Sequence, residues 1–132
     1  MKRVKISELL EFSKAALIKA GVSEENAALT AETLVGTDMF GVLTHGTKNL
    51  PGYIQKMNAG GLDPKAEPNV LCEGPSFAVM NGNKAVGMVS AYKAMKLAIK
   101  KARETGIAYV GVKNSCHFGA AGYYANLAAA EG

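Results

Sequence analysis

The stretch that decides the fold is Gly87–Lys113, GMVSAYKAMKLAIKKARETGIAYVGVK. Its first part repeats apolar side chains at helical intervals, at Met88, Tyr92, Met95, Ile99 and Ala102. This spacing predicts a helix from Gly87 to Thr105, which Gly106 ends. Residues 107–113 are rich in β-forming, mostly apolar side chains and predict a buried strand directly after the helix.

The regions on either side of this unit extend the α/β pattern. Downstream, Asn114–Gly119 begins at the carboxyl end of the predicted strand, where open α/β sheets usually bind ligands, and a helix from Gly119 to Ala130 follows. Upstream, two short β-rich runs, 69–72 and 77–80, predict a strand pair that turns at Gly74-Pro75. The fold class predicted for the second half of the chain is therefore α/β.

The first half of the chain predicts three helices. Ser7 can cap a helix that runs to Ala20, with an apolar stripe at Ile6, Leu9, Leu10, Ala16, Leu17 and Ala20. Ser23 can cap a second helix that ends near Asp38, with Ala27, Ala31, Leu34 and Val35 facing inward. Pro51 suits the first turn of a third helix, through about Asn58. We expect one unit, 1–132, made of a helical segment, 1–60, and an α/β segment, 61–132.

Composition restricts the function classes. The net charge is +4, but the basic residues of the predicted long helix recur as a single solvated face, which argues against nucleic acid as a partner. The chain has no apolar run long enough for a bilayer and no signal peptide after Met1, so we expect a cytoplasmic protein without membrane contact. Cys72 and Cys116 are isolated and predict free thiols.

The two histidines are the candidates for chemistry, because each lies in a glycine-bordered loop: Thr44-His45-Gly46 and His117-Phe118-Gly119. Histidine exchanges protons near neutral pH, so these loops are typical of an acid/base site. Structural roles are equally consistent with the spacing: His45 could cap the Pro51 helix and His117 could be a hydrogen-bonded core residue.

Other chemistries are not supported by the sequence. Adjacent Cys116 and His117 would point to opposite faces of an extended segment, which argues against a nucleophile–base pair. Two histidines and two cysteines do not have the spacing of a zinc site, so no metal is expected. The chain also lacks G-x-G-x-x-G, so a Rossmann phosphate loop is not encoded.

Several ordered motifs resemble the malate/L-lactate dehydrogenase family, which includes sulfolactate, ureidoglycolate and diketogulonate oxidoreductases. They span essentially the whole chain: Asp38–Gly46, Leu50–Tyr53, Asn81–Asn83 with Val86-Gly87, Gly106-Ile107 and Asn114–Tyr124. The resemblance implies a non-Rossmann α/β fold and an oxidoreductase, usually dimeric, that interconverts 2-hydroxy and 2-oxo acids with NAD or NADP. It also implies that His45 and His117 are catalytic and that four further residues bind substrate: Thr44, Lys48, Asn49 and Tyr53.

The chain departs from the family pattern in three places. Thr44 replaces the usual serine and keeps its hydroxyl, whereas Asn49 stands where an arginine usually grips the substrate carboxylate, with Lys48 beside it. Family members are also roughly two to three times longer. We therefore expect an amino-terminal portion, with the main cofactor-binding segment beyond residue 132.

Two hypotheses follow from these observations. The first is the substrate-side portion of a dehydrogenase that is inactive by itself and works as a homodimer or with the missing carboxyl-terminal portion. The second is a non-catalytic, truncated remnant that acts as a dimerising or interaction domain. An incomplete sheet should leave an open edge and exposed apolar faces in either case.

Overall fold

The computed structural model describes residues 3–132, which form a mixed α/β unit and confirm the predicted fold class. Three helices come first, and two strands, a long helix, a third strand and a last helix follow. In chain order these are α1 Ile6–Lys19, α2 Glu24–Met39, α3 Leu50–Asn58, β1 Asn69–Glu73, β2 Phe77–Asn81, α4 Gly87–Thr105, β3 Tyr109–Lys113 and α5 Ala121–Ala129. A short 3₁₀ turn, Thr47–Asn49, leads into α3 and was not predicted.

Helix α2 carries the centre of the helical core. Ser23 caps it as predicted, because its hydroxyl oxygen accepts a hydrogen bond from the backbone N–H of Asn26 at 3.3 Å. All four residues predicted to face inward are buried: Ala27, Ala31, Leu34 and Val35. Ala27, Ala31 and Leu34 belong to one hydrophobic cluster with Leu17 of α1 and Tyr53 of α3, so α2 packs between the first helix and the helix that follows His45.

The predicted start of α1 is wrong. The helix begins at Ile6, after the extended residue Lys5, so Ser7 lies inside the first turn and caps nothing. The predicted apolar stripe is also only partly correct, because Leu17 is fully buried whereas Ile6 is 50 % exposed. Ser13 is buried in the face that α1 turns to the protein. Leu10, Ala16 and Ala20 of the predicted stripe pack against the core, so the apolar spacing located both the helix and most of its inward face.

The three strands form one sheet in the order β1-β2-β3. Strands β1 and β2 are antiparallel, and β2 and β3 are parallel, with Ala78 opposite Val110 and Asn81 opposite Lys113. Helix α4 is the crossover between the two parallel strands and ends at Gly106 in the left-handed conformation, as predicted. The parallel pairing brings the loops after β2 and β3 to the same edge of the sheet.

The prediction that the third strand is buried is wrong. Within residues 3–132, β3 pairs only with β2, so its other edge is open, and Tyr109 is 72 % exposed.

A groove of about 700 Å³ lies beside β3 and is lined mainly by small and apolar side chains of α4, β3 and α5, such as Ala94, Met95 and Val110. The open edge and the exposed apolar surface agree with the sequence-based expectation.

None of the helices formed by residues 3–132 combines the length and the apolar character that crossing a bilayer requires.

Candidate functional site

The loop that carries His45 is held by Asp38, near the end of α2. The Asp38 carboxylate accepts hydrogen bonds from the backbone N–H of Thr47, at 3.0 Å, and from the Thr47 hydroxyl. Gly46 makes this contact possible, because a β-carbon at that position would lie 1.8 Å from Oδ1 of Asp38. The Thr44-His45-Gly46 motif therefore needs its glycine for close packing between the loop and α2.

The loop that carries His117 lies against the beginning of α4. A β-carbon on Gly87 would meet the carbonyl oxygens of His117 and Cys116 at 2.3 and 2.8 Å. At the sheet edge, the Asn114 side-chain amide donates to Oδ1 of Asn81 at 3.0 Å, which ties the loop after β3 to the end of β2. The glycines of the sequence motifs thus allow two backbone segments to pack closely.

These two loops bring the histidine rings together. The ring centroids of His45 and His117 lie 5.3 Å apart, with an angle of 32° between the planes. Both residues are solvent-exposed, so His117 is not a core histidine, and α3 has no side-chain cap, so His45 does not cap it. The remaining arrangement is an exposed pair of imidazoles at the carboxyl end of a parallel strand, where both rings can reach one small molecule.

Tyr53 lies beneath this pair. It is only 3 % exposed, and its hydroxyl is 2.5 Å from Nδ1 of His117. The two rings are stacked, with centroids 6.0 Å apart. The family resemblance predicted Tyr53 as a substrate-binding residue. In the structure its hydroxyl is hydrogen-bonded to His117.

The other predicted site residues surround His45. The Thr44 hydroxyl is 2.8 Å from Nδ1 of His45, and the Asn49 side-chain amide donates to the Thr44 carbonyl at 2.9 Å. A longer bond, 3.4 Å, runs from the same amide to the carbonyl of Gly46. Lys48 is exposed on the 3₁₀ turn. Asn49 therefore braces the loop with its N–H groups, and its amide nitrogen is already engaged within the protein.

The electrostatic environment differs from group to group within the site. Partial burial lowers the pKa of His117, although much of its side chain stays exposed, and the neighbouring His45 and Lys56 lower it further. Burial, with a smaller contribution from Cys116, raises the pKa of Tyr53 to about 12. Burial also raises the pKa of the Cys116 thiol, which keeps it protonated and argues further against a thiolate nucleophile.

Lys56, whose positive charge helps to lower the pKa of His117, is a residue that the sequence analysis did not single out. It lies three residues after Tyr53 on α3, and residues at this interval share one face of a helix. The three-residue spacing from Tyr53 could have pointed to Lys56 in the sequence, but only if the contact between Tyr53 and His117 had been known.

Residues 3–132 contain no cluster of metal ligands, and the beginning of α4 is poorly suited to a cofactor pyrophosphate. Across residues 3–132 there is no group of three His, Cys, Asp or Glu side chains that could hold a metal ion. The beginning of α4, the helix that links the parallel strands, is closed by the carbonyl oxygens of His117 and Cys116 against Gly87. Carbonyl oxygens repel phosphate, so the fit of a dinucleotide at this helix end is poor.

The histidine pair lies at the carboxyl end of a parallel strand, where α/β sheets commonly bind ligands, and imidazoles can exchange protons with a bound molecule. The sequence profile of the malate/L-lactate dehydrogenase family matches residues 4–132. The chain therefore belongs to this family, and the resemblance seen in its motifs is confirmed.

Individual relatives agree with this assignment. The chain is similar to the malate dehydrogenase of Pyrococcus abyssi, with 44 % identity over 130 residues that cover 98 % of this chain and 36 % of that protein. It is 43 % identical over 112 residues to the L-sulfolactate dehydrogenase of Methanocaldococcus jannaschii, covering 85 % of this chain and 33 % of the relative. The structure of malate dehydrogenase from Pyrococcus horikoshii OT3 superposes with a TM-score of 0.95 at 44 % identity, over 98 % of this chain and 37 % of that one. The chain thus spans about a third of the length of these relatives.

Proposed function

We propose that these residues form the substrate-side, acid/base portion of an NAD- or NADP-dependent oxidoreductase that interconverts 2-hydroxy and 2-oxo acids. The observation that carries the proposal is the 5.3 Å approach of His45 and His117 at the carboxyl end of β3. The family membership supplies the reaction class, since the relatives bear the names of malate and sulfolactate dehydrogenases. Malate and sulfolactate are both small 2-hydroxy acids, and we propose this substrate class for the chain.

The two imidazoles account for the proton chemistry of such a reaction. The oxygen on carbon 2 must gain a proton when a 2-oxo acid is reduced and lose it when a hydroxy acid is oxidised. With ring centroids only 5.3 Å apart, we propose that both imidazoles hydrogen-bond to this one substrate oxygen. The nicotinamide cofactor, when bound, supplies or accepts the hydride.

The substrate carboxylate would be held by the residues next to His45. We assign its binding to the Thr44 hydroxyl and to the positive charge of Lys48, with Asn49 acting mainly through the shape of the loop. Asn49 donates to the carbonyls of Thr44 and Gly46, which supports that division. A neutral amide in place of a bidentate guanidinium should weaken carboxylate binding by about 1–3 kcal/mol.

We also propose that the main cofactor contacts come from protein outside these residues, so that this chain alone does not turn over 2-oxo acids. The closed beginning of α4 and the relatives' greater length support this. The exposed edge of β3 and the adjoining groove are suited to association with a second copy or with a carboxyl-terminal portion. A cytoplasmic location belongs to the same proposal.

Kinetics of the assembled enzyme, meaning these residues together with the segment that binds the cofactor, tests the proposed function. Oxidation of NADH and NADPH would be followed with a panel of 2-oxo acids for the wild type, His45→Asn and His117→Asn. Loss of a positioned acid or base should lower kcat about 10²–10⁴-fold. Cys72→Ser is the matched control, because Cys72 is an exposed residue of β1. Full activity in both histidine variants would overturn the proposal.

A further inference from the structure

We propose that Tyr53 is a positioning residue, whose hydroxyl donates to Nδ1 of His117 and holds that imidazole in the tautomer with its proton on Nε2. The distance between the two atoms, 2.5 Å, establishes a hydrogen bond but does not show which group donates. Two further observations give the direction.

The first observation is a second donor at the same nitrogen. The backbone N–H of Gly119 points to Nδ1 of His117 at 3.4 Å. A backbone N–H can only donate, so a proton on Nδ1 would face the hydrogen of Gly119. With Nδ1 unprotonated, its lone pair accepts from both groups and no hydrogens are opposed.

The second observation is the state of the tyrosine. Tyr53 is 3 % exposed, and its hydroxyl lies in a buried setting that disfavours the phenolate. A protonated phenol is the better donor of the pair, and the imidazole nitrogen is the better acceptor. Donation to Nδ1 also stabilises the neutral ring, in the same direction as the effects of burial, His45 and Lys56.

The orientation gives the two histidines different roles, a consequence that rests on the proposed function. His117 presents Nε2–H, so it donates a hydrogen bond to the substrate oxygen and polarises it. A neutral imidazole in this tautomer has no free lone pair for that oxygen, so the proton exchange itself falls to His45. Tyr53 then acts on the reaction through His117 and does not touch the substrate.

Nitrogen-15 NMR of the intact chain tests the tautomer without any substrate or cofactor. Two-bond proton–nitrogen correlations distinguish a protonated ring nitrogen from an unprotonated one, and the chain has only two histidines to assign. We expect the neutral form of His117 to show a protonated Nε2 and an unprotonated Nδ1. A proton on Nδ1 in the wild type would overturn the proposal, and this measurement needs no variant.

Tyr53→Phe then tests whether the hydroxyl is the cause. We expect the ratio of the two tautomers to move about fivefold toward Nδ1–H, which corresponds to a net hydrogen bond of about 1 kcal/mol. The pKa of His117 should rise in this variant, while the charges of His45 and Lys56 still lower it and the adjacent Cys116 is unchanged. An unchanged tautomer ratio in a folded Tyr53→Phe variant would contradict the proposal.

Tyr124→Phe is the matched control. Tyr124 is also a buried tyrosine, at 4 % exposure, and its hydroxyl donates to the carbonyl of Phe118, the residue after His117. This variant removes a buried hydroxyl of α5 that bonds to the same loop but leaves Nδ1 of His117 untouched. We expect the tautomer ratio of His117 in this variant to match the wild type. An equal shift in both variants would contradict the proposal, because it would mean that Tyr53 only stabilises the loop. Because the readout is free of catalysis, a failed dehydrogenase assay would leave this result intact.

Discussion

The Asp38 carboxylate binds Thr47 twice, through the backbone N–H at 3.0 Å and through the hydroxyl, and so closes the loop that carries His45. The contact spans nine residues and connects the end of α2 to the 3₁₀ turn before α3. The Asp38–Thr47 bonds fix the path of the chain around His45, while Tyr53, on the helix that follows, reaches His117. The Asp38–Thr47 hydrogen bonds therefore position His45. The helix that follows them, α3, carries Tyr53, which hydrogen-bonds to His117.

Gly46→Ala should break this anchor. The added β-carbon would lie 1.8 Å from Oδ1 of Asp38, so the carboxylate must move away from Thr47. Loss of hydrogen bonds to a charged group should lower the free energy of unfolding by about 1.5–3 kcal/mol, measured by thermal or urea unfolding. Gly52→Ala is the control, because a β-carbon there meets nothing within 4 Å and Gly52 lies in α3. It should be neutral or stabilising by up to about 1 kcal/mol; equal losses in both variants would contradict the anchor.

Asn49→Arg should lower the Michaelis constant for 2-oxo acids in the assembled enzyme, because a guanidinium can grip the carboxylate in a bidentate manner. The substitution also removes the Asn49 bonds to the carbonyls of Thr44 and Gly46. Asn49→Ala separates the two effects: it loses the same bonds, gains no charge and should raise the Michaelis constant. An unchanged or higher value for Asn49→Arg would show that this position does not serve the carboxylate.

The stability of the chain should fall on mild acidification because of His117. Burial, then His45 and Lys56, place the folded-state pKa of this ring below its unfolded value of about 6.5. Between the two values the unfolded chain binds more protons, so the free energy of unfolding decreases as pH falls through that interval and stops decreasing below the folded-state pKa. Urea unfolding at several pH values measures this effect, and it should be absent in His117→Asn.

Lys56→Gln should raise the pKa of His117, because it removes a positive charge that disfavours the imidazolium. The shift should be modest, since burial is the largest cause and remains in place. NMR titration of the ring gives the value directly. Lys19→Gln, at the end of α1, removes the same charge from an exposed position and serves as the control. Equal pKa values in Lys56→Gln and the wild type would show that the charge of Lys56 does not act on His117.

The chain alone should not bind NADH or NADPH at micromolar concentration. The glycine at the beginning of α4 is covered by the carbonyl oxygens of His117 and Cys116, which leaves no cradle for a pyrophosphate there. Fluorescence or calorimetric titration measures the affinity, and light scattering reports the self-association that the open β3 edge favours. Micromolar cofactor binding by a clean monomer would mean that these residues form a complete site.

Local sequence signals predicted the elements whose causes are local. The bounds of α4, Gly87–Thr105, follow from the apolar spacing and from Gly106, whose φ of 80° suits a glycine after a helix. The burial of β3 was predicted wrongly, because apolar composition does not report how many strands lie beside it. Ser7 was misassigned for a related reason: a serine near a helix start is a cap only if the helix begins after it.

The sequence singled out both histidines that the structure brings together, but it did not predict the contacts around them. Glycine-bordered loops identified His45 and His117 as candidates, and the motif order linked them to one family. The hydrogen bond between Tyr53 and His117 joins residues 64 positions apart, and the environment of Lys56 depends on the same packing. Side-chain pairs this distant in sequence are set by how the helices and the sheet pack, which spacing along the chain does not encode.

The most direct test of the central claim, that His45 and His117 share one binding site for 2-oxo acids, is an NMR titration of both imidazole rings with oxamate, an unreactive 2-oxo acid analogue. With ring centroids 5.3 Å apart, the signals of both rings should shift along a single binding curve with one dissociation constant. Thr44→Val, which removes the hydroxyl beside His45, should weaken that constant for both rings together. If millimolar oxamate moves neither ring, or moves the two with different dissociation constants, the shared site does not exist.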